Sequence, residues 1–344
     1  MTDDSEEVPE YLLIKVASGD DPVSAVTEAD AWRGRAQYPD VAGAGPMFGC
    51  AEQVEGRWQI LGLGESAPQI ARDAMGGHFR ALAKEAEEAG DVTGQREFMA
   101  AAVRMDWEVV DELTVHGRDF RIIRAEQFIR TGPDGPEPPR PTDPDPAPVG
   151  KGHRERRRTK GFVINPAAAT GLSDGVLRLE LLPLVYKAGI VPDEVRADAA
   201  RALETHPGGV LLPAEFAIAE KVDGAWEPMA GSCTTPQTAR DTLSFYFREM
   251  APRLLDLDNA ECAEYARAAD RLDSSRADEI SVDERFFRVV RVEQLIRVGP
   301  DGPETPRPSD YDPYPPTEVQ ARQLREEEES GSDENDKESG SGEE

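Results

Sequence analysis

The stretch GPDGPEPPRPTDPDP occupies residues 132–146, and a near copy, GPDGPETPRPSDYDP, occupies residues 299–313. The two stretches differ at three of their fifteen positions. A match of this quality within one chain predicts that one structural unit is built twice. The repeat decides the fold, because the other patterns in the chain recur with it.

The match continues upstream of these stretches. FGCAEQVEGRW at 48–58 corresponds to FAIAEKVDGAW at 216–226, and FRIIRAEQFIR at 120–130 corresponds to FRVVRVEQLIR at 287–297. We therefore predict a tandem duplication. Its extent defines four regions: a first module at 1–149, a basic linker at 150–160, a second module at 161–317, and an acidic tail at 318–344.

The residue pattern of each module predicts the element order α-ββ-α-α-ββ followed by a Pro-rich arm. This order is typical of an α+β fold with an antiparallel sheet. In the first hairpin of each module, Glu55-Gly56 or Asp223-Gly224 separates two apolar runs, and such pairs favour two-residue turns. In the second hairpin only the first module supplies a glycine, Gly117. We therefore expect the second module to make that turn with a different type or length.

The first arm (residues 133–148) contains eight prolines, and the second arm (residues 300–316) contains seven. This density excludes helix and sheet interiors and favours extended polyproline geometry. We expect each arm to be a strap packed on folded structure, because the arm recurs after the second module, where no further module needs a linker. Whether a strap lies on its own module or on the other module stays open.

Two other readings of the arms also stay open. The PPRP motif at 138–141 is suited to an aromatic groove on a protein partner. The acid pairs Asp143 with Asp145, and Asp310 with Asp312, are suited to a cation, although calcium sites need more ligands at closer spacing.

One polar pattern is present in both modules. Strand alternation places these side chains on one face of the last long strand: Arg124, Glu126 and Arg130 in the first module, and Arg291, Glu293 and Arg297 in the second. Two guanidinium groups can bind a carboxylate or a phosphate, with the glutamate holding one of them in place. The same side chains can instead pair with each other and anchor the acids of the arms.

Trp58 and Trp226 follow the first turn of their modules. They are candidate groove aromatics for a ligand, and the competing interpretation is that they pack on the core or on a helix. No P-loop, HExxH, GxSxG or CxxC motif is present in the sequence. We therefore predict no catalytic residue, no cofactor and no metal ligand.

The formal net charge of −29 disfavours nucleic acid and anionic membranes as partners. The tail contains eleven acidic and three basic residues and few apolar ones, so we expect it to be disordered. Three widely spaced cysteines, no secretory leader and no long apolar stretch indicate a cytoplasmic protein. The expected partner is an unknown protein, bound through the arms or the acidic tail.

The duplicated arms, together with VEGRWQ at 54–59 and PQTARD at 236–241, resemble a family of unknown function from Streptomyces and related actinobacteria. The resemblance covers nearly the whole chain. It implies a bacterial cytosolic protein and carries no activity or functional residue to transfer.

Three functions remain open at this point. The favoured one is a non-catalytic, pseudo-symmetric binding or scaffold protein with an unknown ligand. The second is an enzyme with an unrecognised active site where the modules meet. The third is an acidic mimic that binds a basic protein in place of nucleic acid.

Overall fold

The computed structural model describes residues 8–17, 19 and 21–327. The chain divides into two compact units. Unit 1 takes the described residues up to Pro46 and Ala125–Glu304, and unit 2 takes Met47–Arg124 and the described residues from Thr305 onward. Each unit therefore contains residues from both sequence repeats.

The fold is a mixture of helices and antiparallel sheet. The helices are α1 (Pro22–Gln37), α2 (Pro68–Ala89), α3 (Val92–Trp107), α4 (Leu172–Leu181), α5 (Asp193–Thr205), α6 (Pro236–Phe245), α7 (Ala251–Leu254) and α8 (Asn259–Ser275). The strands are β1 (Asp40–Val54), β2 (Arg57–Glu65), β3 (Glu112–Val115), β4 (Arg118–Gly132), β5 (Gly135–Pro136), β6 (Val163–Ile164), β7 (Gly208–Val222), β8 (Ala225–Cys233), β9 (Glu279–Val282), β10 (Arg285–Gly299) and β11 (Gly302–Pro303).

In unit 2, β1 pairs with β2 and with the first part of β4, and β3 pairs with β4. Helices α2 and α3 pack on these strands through buried apolar side chains, among them Met75, Phe79, Phe98, Met105 and Phe120. Their spacing along α2 and α3 is the helical stripe that burial of one face requires.

In unit 1, the last part of β4 pairs with β10, β10 pairs with β7, and β7 pairs with β8. Helices α6 and α8 and the segment Tyr246–Met250 cover one side, where Phe247, Tyr265 and Leu272 pack with Phe287 of β10. Helix α4 covers another part of the sheet, where Leu177 and Leu181 meet Leu295. Strands β4 and β10 are buried on both faces over most of their length, so most of their arginines and glutamates are buried as well.

The turn between β9 and β10 differs from its prediction. The two turn residues are Asp283 and Glu284, with φ of 49° and 61°, which is the length and the backbone region used by His116 and Gly117 between β3 and β4. The missing glycine has therefore not changed the length of the turn. It has placed a side chain at a positive φ, which is strained for Glu284.

Helix α6 continues into a π-helical turn at Tyr246–Met250, followed by α7. Pro252 cannot donate a backbone hydrogen bond, which explains a locally widened helix here. Met250 continues the apolar stripe of α6 in the sequence, but the widened turn leaves its side chain exposed.

The arms lie outside the helices and outside the sheet, apart from the two-residue strands β5 and β11. Residues 317–327, which include the start of the predicted acidic tail, are helical, and the amide of Gln320 donates to the carbonyl of Pro316. The expected disorder therefore does not apply to this part of the tail, and residues 328–344 lie outside the described residues.

Candidate binding site

Two of the predicted arginines hold the arms. In unit 1, Nε of Arg291 donates to both carboxylate oxygens of Asp143 at 3.1 Å, and the amide of Arg140 donates to the same carboxylate at 2.8 Å. In unit 2, Nε of Arg124 donates to both oxygens of Asp310 at 3.1 and 3.0 Å, and the amide of Arg307 completes this set at 2.7 Å.

The second acid of each arm lies at the start of a helix. Asp145 accepts from the amide of Gln237 at 2.8 Å and from Arg240 at 2.7 Å, in the first turn of α6. Asp145 also accepts a hydrogen bond from Arg276 at 2.6 Å. Each helix begins with backbone amides that have no partner inside the helix, and the positive end of the helix dipole favours a carboxylate there.

The second arm repeats this arrangement in unit 2. Asp312 accepts from the amide of Gln69 at 2.9 Å and from Arg72 at 2.5 Å, at the start of α2. Burial pushes the pKa of Arg72 down, but the hydrogen bonds and charges of Asp111 and Asp312 outweigh it, so the pKa lies above its ordinary value. We call these two sets of contacts the first latch (Asp143 and Asp145) and the second latch (Asp310 and Asp312).

The remaining predicted charged residues also pair with protein groups. Nε of Arg297, which is 1% exposed, donates to Glu126 at 3.2 Å, and Nη2 of Arg297 donates to the carbonyl of Leu182 at 2.8 Å. Glu293 pairs with Arg291. Burial works to lower the pKa of Arg291, but the charges of Glu293 and Asp143 outweigh burial and raise it.

Both tryptophans contact an arginine. The guanidinium of Arg121 stacks over Trp58 at 4.9 Å, and that of Arg288 stacks over Trp226 at 4.6 Å. A Cβ on Gly135, in the turn that precedes the first arm, would lie 2.1 Å from Nε1 of Trp226. Trp226 is therefore packed against this turn, and a glycine is required at 135.

Arg130 is the predicted site residue that lines a cleft. The cleft lies within unit 1 and is shallow, with a cavity volume of about 20 Å³, which is room for about one water molecule. Its lining comes from α1, β4, the first arm and α4: Ala31, Trp32, Arg35, Arg130, Arg140, Ser173, Asp174 and Leu177. Glu293 lies just behind this lining, 3.5 Å from Arg140, and the other predicted residues are not part of the lining.

The cleft has three guanidinium groups, and carboxylates lie beside all of them. Arg35 and Arg130 share one partner, Glu180, which Arg35 contacts at 2.6 Å. Arg140 pairs with Glu137 at 2.7 Å and with Glu293 at 3.5 Å. Arg130 also donates to the carbonyl of Tyr38 at 3.4 Å. Arg35 and Arg130 therefore have one ion-pair partner between them, and Asp174 adds a further carboxylate to the lining.

Asp174 adds a titrating group to this lining. Although much of its side chain is exposed, its pKa is raised, first by desolvation and then by the negative charge of Glu293. Trp32 supplies an apolar face, and the guanidinium of Arg35 lies 5.6 Å from the centre of its ring. Ser173 brings a hydroxyl group. A small anion that accepts hydrogen bonds matches this set of donors.

Sequence reasoning missed most of the cleft. Trp32 and Arg35 are three residues apart in a predicted helix, which places them on one face, and this signal was available. Ser173 and Asp174 belong to α4, for which the repeats offered no counterpart. Within the part of the chain that the structure describes, no group of three or more His, Cys, Asp or Glu side chains is arranged to hold a metal ion.

A family model described as "Family of unknown function (DUF5954)" matches residues 21–313. No curated protein matches the chain, and no solved structure matches it. Over the described ranges, 8–17, 19 and 21–327, none of the helices has both the length and the apolar character needed to cross a membrane.

Proposed function

The chain belongs to this family of unknown function, and from its own residues we propose that it is a non-catalytic binding or scaffold protein. We propose further that it is pseudo-symmetric, with two modules that arose by tandem duplication. The equal lengths of β1 and β7, of β2 and β8, and of β4 and β10 support this. The equivalent contacts of the first and second latches support it as well.

We place ligand binding in the Arg35–Arg130–Arg140 cleft of unit 1. The observation that carries this proposal is the sharing of Glu180 by Arg35 and Arg130, which gives the two guanidinium groups one ion-pair partner between them. The ligand class that fits is a small oxyanion, a carboxylate or a phosphate, because a guanidinium binds both in a forked geometry. Trp32 offers an apolar surface for any hydrocarbon part of the ligand.

The thiols of the chain support a role without covalent chemistry. Burial raises the pKa of Cys50 to about 11 and also raises the pKa of Cys233. Both groups are thus held in the thiol form, which is a poor nucleophile. The free state of Cys50, Cys233 and Cys262 agrees with the proposed cytoplasmic location in an actinobacterium.

Calorimetric titration of the full chain with phosphate and with acetate tests the binding proposal. We expect saturable binding of at least one of the two anions, and Arg35→Ala should weaken it by about tenfold, the value of one charge-assisted hydrogen bond. Arg33→Ala is the matched control, because Arg33 lies on the same helix, is exposed, and does not line the cleft. No heat of binding with either anion, or equal losses in the two variants, would contradict the proposal.

A further inference from the structure

Helix α3 carries an apolar stripe on its outer face. Val92, Met99, Val103 and Trp107 are exposed by 74%, 44%, 48% and 44% respectively. Their spacing of seven, four and four residues places them on one side of the helix. The opposite side of α3, which includes Phe98 and Met105, is buried in the core of unit 2.

Helix α8 shows that packing does not require this stripe. It occupies the same place in the order of elements, before a four-residue strand, and buries Tyr265 and Leu272 where α3 buries Phe98 and Met105. At the positions equivalent to the stripe, α8 has mostly polar or small residues: Asn259, Ala266, Asp270 and Ser274. The apolar face of α3 therefore has a purpose beyond folding, since isolated exposed apolar residues are normal but a continuous stripe is not.

The residues around the stripe are complementary in position and charge to those of a second copy of α3 that runs antiparallel to the first. If Met99 of one copy lies level with Val103 of the other, Val92 lies past the end of the second α3, where the exposed Val109 follows that helix. Arg96 then lies level with Asp106 of the second copy. A parallel arrangement would instead place Arg96 against its own equivalent, which is repulsive.

The charges favour the antiparallel arrangement for a second reason. Arg96 is exposed and, over the described ranges, makes no ion pair with this chain. Asp106 is bound on one side by Arg80 at 2.5 Å, and a carboxylate can accept further hydrogen bonds. The partner that this face fits best is consequently a second copy of the chain.

We propose that the exposed face of α3 is a self-association surface, on which α3 of a second copy packs antiparallel through Val92, Met99, Val103 and Trp107. The dimer is two-fold symmetric, because the same residues contribute from both copies. A single helix pair buries less than a standard interface, so the association is weak and reversible.

Sedimentation velocity of the full chain, from low micromolar to several hundred micromolar protein at physiological salt, tests this proposal. We expect the average mass to rise from monomer toward dimer with concentration. Met99→Asp and Val103→Asp should each keep the chain monomeric over the whole range. Arg96→Glu, which leaves the apolar stripe intact, should weaken association by about tenfold, because it opposes Asp106 of the second copy.

The matched control is Ala263→Asp, an exposed position of α8 that corresponds to Arg96, and it should leave the dimer unchanged. Circular dichroism melting of each variant establishes that it is folded, since all the substituted positions are exposed. A monomer at every concentration overturns the proposal, even if another protein is captured by the same face. A dimer that persists in both Met99→Asp and Val103→Asp also overturns it.

Discussion

A buried carboxylate is costly unless donors surround it, and Asp310 shows how the chain meets this requirement. Its two oxygens accept from Nε of Arg124 and from the amide of Arg307, and both members of the ion pair are at least nine-tenths buried. Asp30 is held in a similar way by Arg33 and by the amide and hydroxyl of Thr142 in the first arm. Burial works to raise the pKa of Asp30, but these hydrogen bonds outweigh it and lower the pKa.

The pKa of Asp174 is raised, whereas that of Asp30 is lowered, and the raised pKa yields a prediction about the cleft. Its raised pKa means that the proton is retained to a higher pH than in the unfolded chain, so lowering the pH through that pKa removes a negative charge beside Arg35 and Arg140. Anion affinity should therefore rise as the pH falls from 7 through the raised pKa of Asp174. Asp174→Asn should bind an anion about fivefold more tightly at pH 7, which is roughly 1 kcal/mol.

Calorimetric titrations of both proteins at several pH values check this expectation. The difference in affinity between the wild-type chain and Asp174→Asn should shrink as the pH is lowered, and the two proteins are compared at each pH because phosphate and acetate themselves take up protons over this range. Equal affinities at pH 7, or the same pH dependence in both proteins, would mean that the Asp174 carboxylate does not act on the bound anion.

At this scale the sequence predicted part of the site. Period-2 alternation placed Arg124 and Arg291 on one face of their strands, and the possibility that they anchor the arm acids was stated from the pattern alone. The arms' actual partners were not predictable, because Asp310 and Arg124 are 186 residues apart and no local signal links them. Asp174 was missed because its raised pKa depends on neighbours that only the folded chain assembles.

At the scale of elements, each arm provides a hydrogen-bond acceptor at the start of a helix. The second arm does so at α2, which has no side-chain cap of its own, and the first arm does so at α6, which already has one. Ala67 precedes α2 and offers no side-chain acceptor, so the carboxylate of Asp312 takes that role. Thr235 caps α6 by accepting from the amide of Thr238, and Asp145 accepts from the amide of Gln237. An arm is thus attached at both ends of its acid pair, once to a strand arginine and once to a helix.

The second latch should contribute strongly to stability. Asp310→Ala removes the carboxylate that Nε of the buried Arg124 contacts, and we expect unfolding to become easier by about 3 kcal/mol. Tyr311→Ala is the matched control, because Tyr311 is the next residue in the same arm and is 79% exposed. Urea denaturation of the two variants measures the difference.

A loss of less than about 0.5 kcal/mol in Asp310→Ala, within the range of ordinary surface substitutions, would show that the arm is not held by this contact. Hydrogen exchange gives an independent measurement. The amide of Asp310 donates to the carbonyl of Arg307 and the amide of Arg307 donates to Asp310, so both amides should exchange faster in the variant.

Among the elements, prediction succeeded where the pattern was local. The helix expected before the first hairpin occurs as α1 and again as α5, and the turns at Glu55-Gly56 and Asp223-Gly224 occur where expected. Prediction failed at the turn of Asp283 and Glu284, because the register of β9 and β10 imposes a positive φ that these residues do not favour. It also failed to mark the π-helical turn in α6, which depends on Pro252 one turn later.

At the scale of the whole molecule, the net charge of −29 opposes the compact state through self-repulsion. Salt screens exposed charges more than buried ones, and the Debye length shortens from about 30 Å at 0.01 M to about 8 Å at 0.15 M ionic strength. Repulsion should weaken over this range while the buried latches keep most of their strength. We therefore expect Tm to rise by a few degrees between these two ionic strengths.

Scanning calorimetry in sodium chloride at pH 7 measures this change. A fall in Tm with added salt would mean that exposed ion pairs, such as Arg104 with Glu108, contribute more than the overall repulsion costs. The net charge, and the repulsion that follows from it, can be predicted from composition alone because they do not depend on the fold.

The second latch also imposes an order of events on the growing chain. Arg72 leaves the ribosome 240 residues ahead of Asp312, and Arg124 leaves 186 residues ahead of Asp310. At about 5–20 residues per second, these arginines wait roughly ten to fifty seconds for their carboxylates. Until those carboxylates have been synthesised, the same positions are open to the arm of a neighbouring chain. Dilute synthesis therefore favours closure of the arm within one chain over exchange of arms between chains.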